Sequence, residues 1–268
     1  MSDTPVYDAL RDALRNEQPV VLATVTAVAE GVDEVELGAK LLAAPDGTSV
    51  GSLGGADLDR VVGRDALGEL ESGLTSTRHY GAHGEAREDT VSVFIESFSP
   101  PPRMIIFGAV DFTAALARVA KVLGYRVAVC DARAVFVTRA RFPMADDLVN
   151  DWPDRYLAEV GGRLGPRDAV CVLTHDAKFD VPAIVGALAT SAGYIGAMGS
   201  RRTHARRVGR LRDAGVDDDG LARLHAPIGL DIGARTPEET AISICSEIIA
   251  ARTGHRAASL RETSGPIH

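Results

Sequence analysis

Residues 174 to 180 carry the side chains best suited to move a proton. His175 has the imidazole, Asp176 and Asp180 are near enough in sequence to orient it, and Thr174 adds a hydroxyl. The segment follows the apolar run 168–173, so we expect it at the carboxyl end of a parallel strand, where α/β sites assemble. An alternative is that Thr174, Asp176 and Asp180 only form a turn and a helix cap, with His175 exposed.

A second segment, Gly199 to Arg202, combines groups that suit a phosphate. Ser200 can cap a helix, and Arg201 and Arg202 then lie in its first turn. A helix N-terminus favours an anion, and arginine binds phosphate through paired hydrogen bonds. We expect Arg201 and Arg202 to be functional, whereas a solvated basic face or partner contacts are expected for the later arginines of this helix, Arg206, Arg207, Arg210 and Arg212.

A third segment resembles the turn that holds a dinucleotide. Gly108 follows the apolar run 104–107, and Asp131 lies 23 residues later, where an acidic residue would meet a ribose hydroxyl. Val110 stands where the usual fingerprint has glycine, and Asp111 is expected to cap the next helix and occupy its amides. A Rossmann-like scaffold whose turn holds no ligand is therefore slightly favoured over dinucleotide binding.

Adjacent glycines at Gly54 and Gly55 are the main feature of the first 100 residues. A glycine pair lets a ligand or another chain approach the backbone closely. The pair could equally form the turn that enters the helix predicted at 56–73, with Asp57 favourable in its first turn.

The elements that must position these residues change character at a proline-rich break, 99–103. Before it, a helix at 6–16 and alternating apolar strands predict an α+β unit over residues 1–98. After it, short apolar runs alternate with helices, which is typical of a doubly wound parallel sheet. The predicted helices are 111–124, 151–163, 178–190, 200–214 and 237–252.

The start of the last helix of the second part can be predicted from local chemistry. Thr236, Pro237 and Glu239 combine an N-cap, a proline at the first helical position and a capping-box glutamate. The predicted fold class is therefore α/β, with a Rossmann-like domain at 104–255, a smaller N-terminal α+β domain and a flexible tail at 256–268.

Composition excludes several classes of function. A net charge of -8 argues against general binding to nucleic acid or to anionic membranes. No apolar run approaches the roughly 20 residues of a membrane span, and no secretory signal is visible, so a cytoplasmic location is expected. The three cysteines are far apart and two lie in apolar strand patterns, so neither a disulfide framework nor a zinc site is predicted.

Taken in order along nearly the whole chain, several motifs resemble the XdhC/CoxI family, the accessory proteins that mature molybdenum hydroxylases. The most specific are YIGAMGSRRT at 194–203 and PIGLDIGARTPEE at 227–239, and IIFGA, VLTHDAKFDVPA and GSLGG also match. The resemblance implies a factor that binds molybdenum cofactor, assists its sulfuration, and delivers it to xanthine dehydrogenase or carbon monoxide dehydrogenase.

The same resemblance implies which residues and partners take part. It places cofactor contacts at Gly54 and Gly55, in the loop with Thr174, His175, Asp176 and Asp180, and in the turn with Gly199, Ser200, Arg201 and Arg202. The expected partners are an apo molybdenum hydroxylase, a cysteine desulfurase or other sulfur donor, and a second copy of the chain.

The sequence departs from the family pattern at two positions. Ala56 stands where a cysteine often follows the glycine pair, and the usual GAGH turn reads Gly108-Ala109-Val110-Asp111. These changes argue against thiolate chemistry in the first domain and against tight dinucleotide binding. The alternatives are an NAD(P)-binding oxidoreductase and a nucleotide-responsive regulatory protein without chemistry.

Overall fold

The structure, a computed structural model, describes residues 4–85, 88–174 and 176–264. The chain forms two compact units, the first ending at Pro100 and the second beginning at Pro101. This division lies inside the proline-rich segment, where three prolines can continue neither a helix nor a strand ladder.

The first unit is a five-stranded antiparallel sheet with a helix on each face. The elements are α1 (Thr4–Arg15), β1 (Val20–Val28), β2 (Lys40–Ala43), β3 (Ser49–Ser52), α2 (Ala56–Ser72), β4 (Ser76–Tyr80) and β5 (Val91–Phe98). The strand order is β3-β2-β1-β5-β4.

Apolar side chains of β1 alternate between the two faces of this sheet and are buried on both. Val21 and Ala23 are buried in the cluster that contains Leu58 of α2, whereas Val20 and Leu22 belong to the cluster beneath α1. Because successive side chains of a strand point to opposite faces, an apolar run can be buried on both sides. The edge strand β4 was not predicted, since its sequence STRHY is polar and only Tyr80 is buried.

The second unit is a six-stranded sheet in which all strand pairs are parallel. Its strands are β6 (Arg103–Phe107), β7 (Arg126–Cys130), β8 (Asp147–Val149), β9 (Ala169–Val172), β10 (Tyr194–Ala197) and β11 (Leu224–His225). Its helices are α3 (Asp111–Val122), α4 (Pro153–Val160), α5 (Ala177–Leu188), α6 (Arg201–Asp213), α7 (Asp218–Ala222) and α8 (Pro237–Thr253), with short 3-10 turns at 134–136, 161–163 and 260–262.

Strand order in the second unit is β11-β10-β9-β6-β7-β8. From β6 the chain moves outward through β7 to β8, then returns to the other side of β6 and continues through β9 to β11. This order has one topological switch point, between β6 and β9, and ligands of such sheets bind outside the carboxyl ends of the strands there. The predicted α/β class with a Rossmann-like domain is confirmed.

Helices cover both faces of the parallel sheet. Helices α3 and α8 pack on one face through residues such as Leu116 and Ile244, and α4 and α5 on the other through Leu157 and Ile184. The five predicted helices are all present, with ends shifted by a few residues. The short elements β8, α7 and β11 were missed, because two to five residues are too few to show a periodic pattern.

Three further observations concern the cysteines, metal ligands and membrane spans. The chain has three cysteines, and Cys130, Cys171 and Cys245 are all buried as free thiols. Burial raises the pKa of both Cys130 and Cys245 to about 12. Among residues 4–85, 88–174 and 176–264, no cluster of three or more His, Cys, Asp or Glu side chains could hold a metal ion, and no helix has the length and apolarity to cross a bilayer.

Candidate functional site

The turn after β6 meets the loop after β9 at the switch point. Gly108 has a backbone φ of +108°, and a Cβ added there would lie 2.9 Å from Cγ2 of Thr174 and 3.1 Å from its amide nitrogen. Only glycine fits this conformation and this close approach. Gly108 therefore brings the two segments predicted from sequence into direct contact.

Asp131 closes the other side of the same turn. Its carboxylate accepts hydrogen bonds from the Ala109 amide (2.8 Å) and from the Arg133 amide, Nε and Nη2 (2.9, 2.9 and 2.8 Å). Burial would raise the pKa of Asp131, but the Arg133 and Ala109 donors outweigh it and hold the pKa below its ordinary value. A ribose contact by Asp131 stays a prediction. A ribose hydroxyl would have to donate to a carboxylate that already accepts hydrogen bonds from Ala109 and Arg133.

The start of α3 differs from the sequence prediction. Asp111 is the first helical residue rather than the cap, its side chain is 92% exposed, and it lies 3.5 Å from Arg141. The capping position belongs to Val110, which makes no side-chain cap. The prediction that Asp111 occupies the helix amides was wrong. The turn is held instead by the Thr113 hydroxyl, which donates to the Gly108 carbonyl.

A buried polar chain joins the ends of β9 and β10. The Thr174 hydroxyl donates to Asp180, and Nη2 of Arg207 donates to the same carboxylate at 2.9 Å and to the Met198 carbonyl at 2.6 Å. The Asp180 and Arg207 side chains are only 6% and 3% exposed. Because Met198 directly follows β10, this ion pair fixes the two predicted loops relative to each other.

Arg207 is the residue that sequence reasoning missed. The later arginines of α6 were expected at the surface, and for Arg207 that expectation was wrong. The missed signal is spacing: Arg207 lies four residues before the buried Leu211, so the two share one face of the helix. Its Nε and Nη1 have no hydrogen-bond partner among the described residues.

The turn before α6 has the local structure predicted for it. Ser200 caps the helix by accepting from the Thr203 amide at 3.1 Å, and Gly199 has a φ of +144° against the Thr203 side chain. Arg201 and Arg202 are exposed in the first turn, and no ion pair of theirs is found within the described residues. In this part of the chain, two solvent-exposed cations therefore stand beside the helix N-terminus.

One neighbour of these arginines has a shifted titration. Nδ1 of His204 is buried without a partner among the described residues, and burial, then the positive charge of Arg207, lowers the pKa of this imidazole. The lowered pKa favours the neutral form of His204 at physiological pH, so this imidazole adds no positive charge to that of Arg201 and Arg202.

The remaining predicted residues have local roles where the structure describes them. Asp176 caps α5 by accepting from the Lys178 amide, as the structural alternative predicted. His175 lies outside the described residues. In the first unit, a Cβ on Gly54 would lie 2.4 Å from the Glu34 carbonyl oxygen, whereas one on Gly55 would meet nothing within 4 Å. Gly54 thus has a packing role of its own.

The strand order, the glycine turn and the arginine-bearing helix define a Rossmann-type domain. The candidate residues lie at the carboxyl edge of its sheet, near the switch point. Comparison with family models then gives the identity of that domain. A model of the XdhC Rossmann domain matches residues 104–248, more than half of the chain, and a model of the XdhC and CoxI family matches residues 13–81. The chain belongs to the XdhC and CoxI family.

Individual relatives cover different parts of the chain. A probable xanthine dehydrogenase subunit of Bacillus subtilis strain 168 is 36% identical over 165 residues, which are 62% of this chain and 47% of that protein. "Molybdenum cofactor insertion chaperone PaoD" of Escherichia coli strain K12 is 29% identical over 99 residues, 37% of this chain and 31% of that protein. The chain thus spans less than half the length of the curated relatives it matches.

A solved structure shows a similar fold. A protein from Bacillus halodurans, described as a xanthine dehydrogenase, superposes with a TM-score of 0.51 over 97% of this chain and 98% of the other, at 23% identity. At that identity the likeness speaks for the fold alone.

Proposed function

We propose that this chain is a maturation factor that holds molybdenum cofactor for insertion into a molybdenum hydroxylase. Membership in the XdhC and CoxI family and the similarity to a molybdenum cofactor insertion chaperone support this role. The relative named for xanthine dehydrogenase supports a hydroxylase of that type as the client. The cofactor is here a cargo that the chain receives and passes on.

The observation that carries the proposal is the pair of exposed arginines at the start of α6. Arg201 and Arg202 stand beside the amides of the first helical turn, and the buried Asp180–Arg207 pair holds the preceding turn to the loop after β9. A phosphate oxygen can accept from guanidinium groups and helix amides together. This part of the edge therefore fits the phosphate of the cargo.

The net charges of the two units agree with a phosphate site in the second unit. Up to Pro100 the sequence has 7 Lys and Arg against 18 Asp and Glu, a net charge of -11, whereas from Pro101 it has 22 against 19, a net charge of +3. A phosphate-bearing cargo is repelled by the first unit and attracted to the second. We assign partner contacts to the first unit, with an apo-hydroxylase, a sulfur donor such as a cysteine desulfurase, or a second copy.

Assistance with sulfuration belongs to the same proposal, with the chain shielding the cargo while a sulfur donor acts. The rival function, an NAD(P)-dependent oxidoreductase, has less support from the turn after β6. The Ala109 amide of that turn already donates to Asp131, and Val110 adds a side chain beside it.

Co-purification of the cargo tests the proposal. The full chain is expressed together with the cofactor pathway, purified and denatured, and the extract is oxidised so that pterin fluorescence reports bound cofactor. We expect pterin with the native chain and a loss of most of it with Arg201→Ala combined with Arg202→Ala, because both phosphate donors are removed.

The matched control is Arg206→Ala combined with Arg210→Ala, which removes two exposed arginines from the same helix farther from its start. This control is expected to keep its pterin. Pterin at background in the native chain, or equal pterin in both double variants, would count against the proposed site.

A further inference from the structure

Aromatic rings and a guanidinium group cluster at the carboxyl edge of the parallel sheet, around the ends of β7, β8 and β9. Arg133 follows β7 and has its guanidinium 4.6 Å from the Phe136 ring centre and 5.8 Å from that of Phe179. Trp152, which follows β8, lies 5.1 Å from Phe179 between ring centres. The four side chains come from three different strand ends and form one continuous group, which we call the ring platform.

Two of the three rings of the ring platform are open to solvent, and Arg141 also lies 5.6 Å from the Phe136 ring centre and Lys178 4.8 Å from that of Phe179. Phe136 is 38% exposed and Trp152 is 40% exposed, whereas Phe179 beneath them is 6% exposed. Exposed apolar side chains that form one contiguous group can mark a ligand-binding site, and this group lies at the edge of the sheet where ligands of Rossmann domains bind.

The platform is also rigid on its polar side. Arg133 binds Asp131 through two parallel hydrogen bonds, which fix the plane of the guanidinium against the Phe136 ring. Asp131 in turn binds the Ala109 amide. The platform is therefore connected directly to the glycine turn at the switch point.

We propose that the ring platform stacks a planar heteroaromatic ring, the other end of the phosphate-bearing ligand assigned to α6. Aromatic and guanidinium faces stack on flat heterocycles whatever their hydrogen-bonding pattern, so a pterin and a purine share this chemistry. The inference rests on the proposed function, and it names the part of the ligand that the arginines do not hold.

The spacing of the strands indicates how long that ligand must be. β7 and β10 are separated by β6 and β9, and at about 4.8 Å per strand their carboxyl ends lie roughly 14 Å apart. A ligand that reaches both ends is elongated, with a flat ring at the β7 end and a phosphate at the α6 end.

The single tryptophan of the chain makes the platform directly observable. Trp152 is that residue, so its fluorescence reports on the platform alone. We would titrate the full chain with ADP as a purine probe, neopterin triphosphate as a pterin probe and tripolyphosphate as a ring-free probe. The expected result is quenching of Trp152 by at least one ring probe and none by tripolyphosphate; whichever ring probe binds more tightly identifies the ring.

Substitution of Phe136 separates stacking from simple proximity. Phe136→Leu keeps an apolar side chain without a ring. It should lower the affinity for the ring probe that quenches Trp152 by roughly fivefold or more, whereas Phe136→Tyr should keep the native affinity. The matched control is Val135→Ala, a neighbouring residue that is 74% exposed, and its affinity should equal that of the native chain.

Failure here can be told apart from failure of the proposed function. If neither ring probe quenches Trp152, or if Phe136→Leu binds them as the native chain does, the ring platform is refuted. Tripolyphosphate binding that depends on Arg201 and Arg202, measured by calorimetry, would leave the phosphate site standing in that case.

Discussion

Because the Asp180–Arg207 ion pair is buried, the loss of stability caused by breaking it can be predicted. Arg207→Met removes the charge while keeping most of the side-chain volume, and it leaves the Asp180 carboxylate buried, with its Thr174 bond but without the Arg207 cation. Breaking one partner of a buried pair costs about 3–5 kcal/mol, because the remaining charge cannot be solvated.

The expected loss of thermal stability follows from the size of the second unit. For a domain of about 170 residues, each kcal/mol shifts Tm by roughly 2–4 °C, so Arg207→Met should lower Tm by roughly 6–20 °C. Emission from Trp152 follows the unfolding of this unit, since the chain has no other tryptophan.

The matched control is Arg206→Met, the same substitution at the neighbouring exposed position of α6. It should cost no more than about 0.5 kcal/mol. A double-mutant cycle with Asp180→Asn completes the test: the two changes together should cost at least about 1 kcal/mol less than the sum of the single changes. Equal shifts for Arg206→Met and Arg207→Met would refute a buried, energetically coupled pair.

Two further predictions concern the turns. Gly54→Ala should destabilise the first unit by about 1–3 kcal/mol, because alanine is strained at a φ of +135° and its Cβ meets the Glu34 carbonyl. Gly55→Ala is the control and should cost little stability. Thermal unfolding followed by circular dichroism would measure both, and equal losses would contradict the packing role of Gly54. Because the folded-state pKa of Asp131 is lowered, its stabilisation is complete above the ordinary carboxyl pKa and is lost as pH falls through the folded value. Urea midpoints of the native chain should therefore fall more steeply in acid than those of Asp131→Asn, and parallel acid profiles would show that the Arg133 and Ala109 donors do not favour the carboxylate.

Much of the second unit could be predicted because its signals are local and repeated. Apolar runs such as 104–107 and 169–172 became buried parallel strands, and the capping box of Thr236 and Glu239 begins α8 as predicted. Each of these signals depends on side chains within a few residues of one another.

The rest depended on contacts that the sequence does not display. Arg207 shares one face of α6 with the buried Leu211, but the carboxylate that pairs with it, Asp180, lies on another helix and cannot be read from the sequence of α6. Asp111 is a favourable cap by composition, yet the Thr113 bond to Gly108 sets the turn so that Val110 takes the capping position. The ring platform was missed for the same reason, since Arg133, Phe136, Trp152 and Phe179 meet only when three strand ends are brought side by side.

The burial of every cysteine has a consequence for how sulfur could reach a bound cargo. Cys130, Cys171 and Cys245 are enclosed and remain protonated at neutral pH, because burial raises the pKa of each thiol, and the family's frequent cysteine beside the glycine pair is here the exposed Ala56. These three thiols are therefore closed to a persulfide. Under the proposed function, sulfur would therefore pass from the donor protein directly to the cofactor, without a persulfide intermediate on these three cysteines.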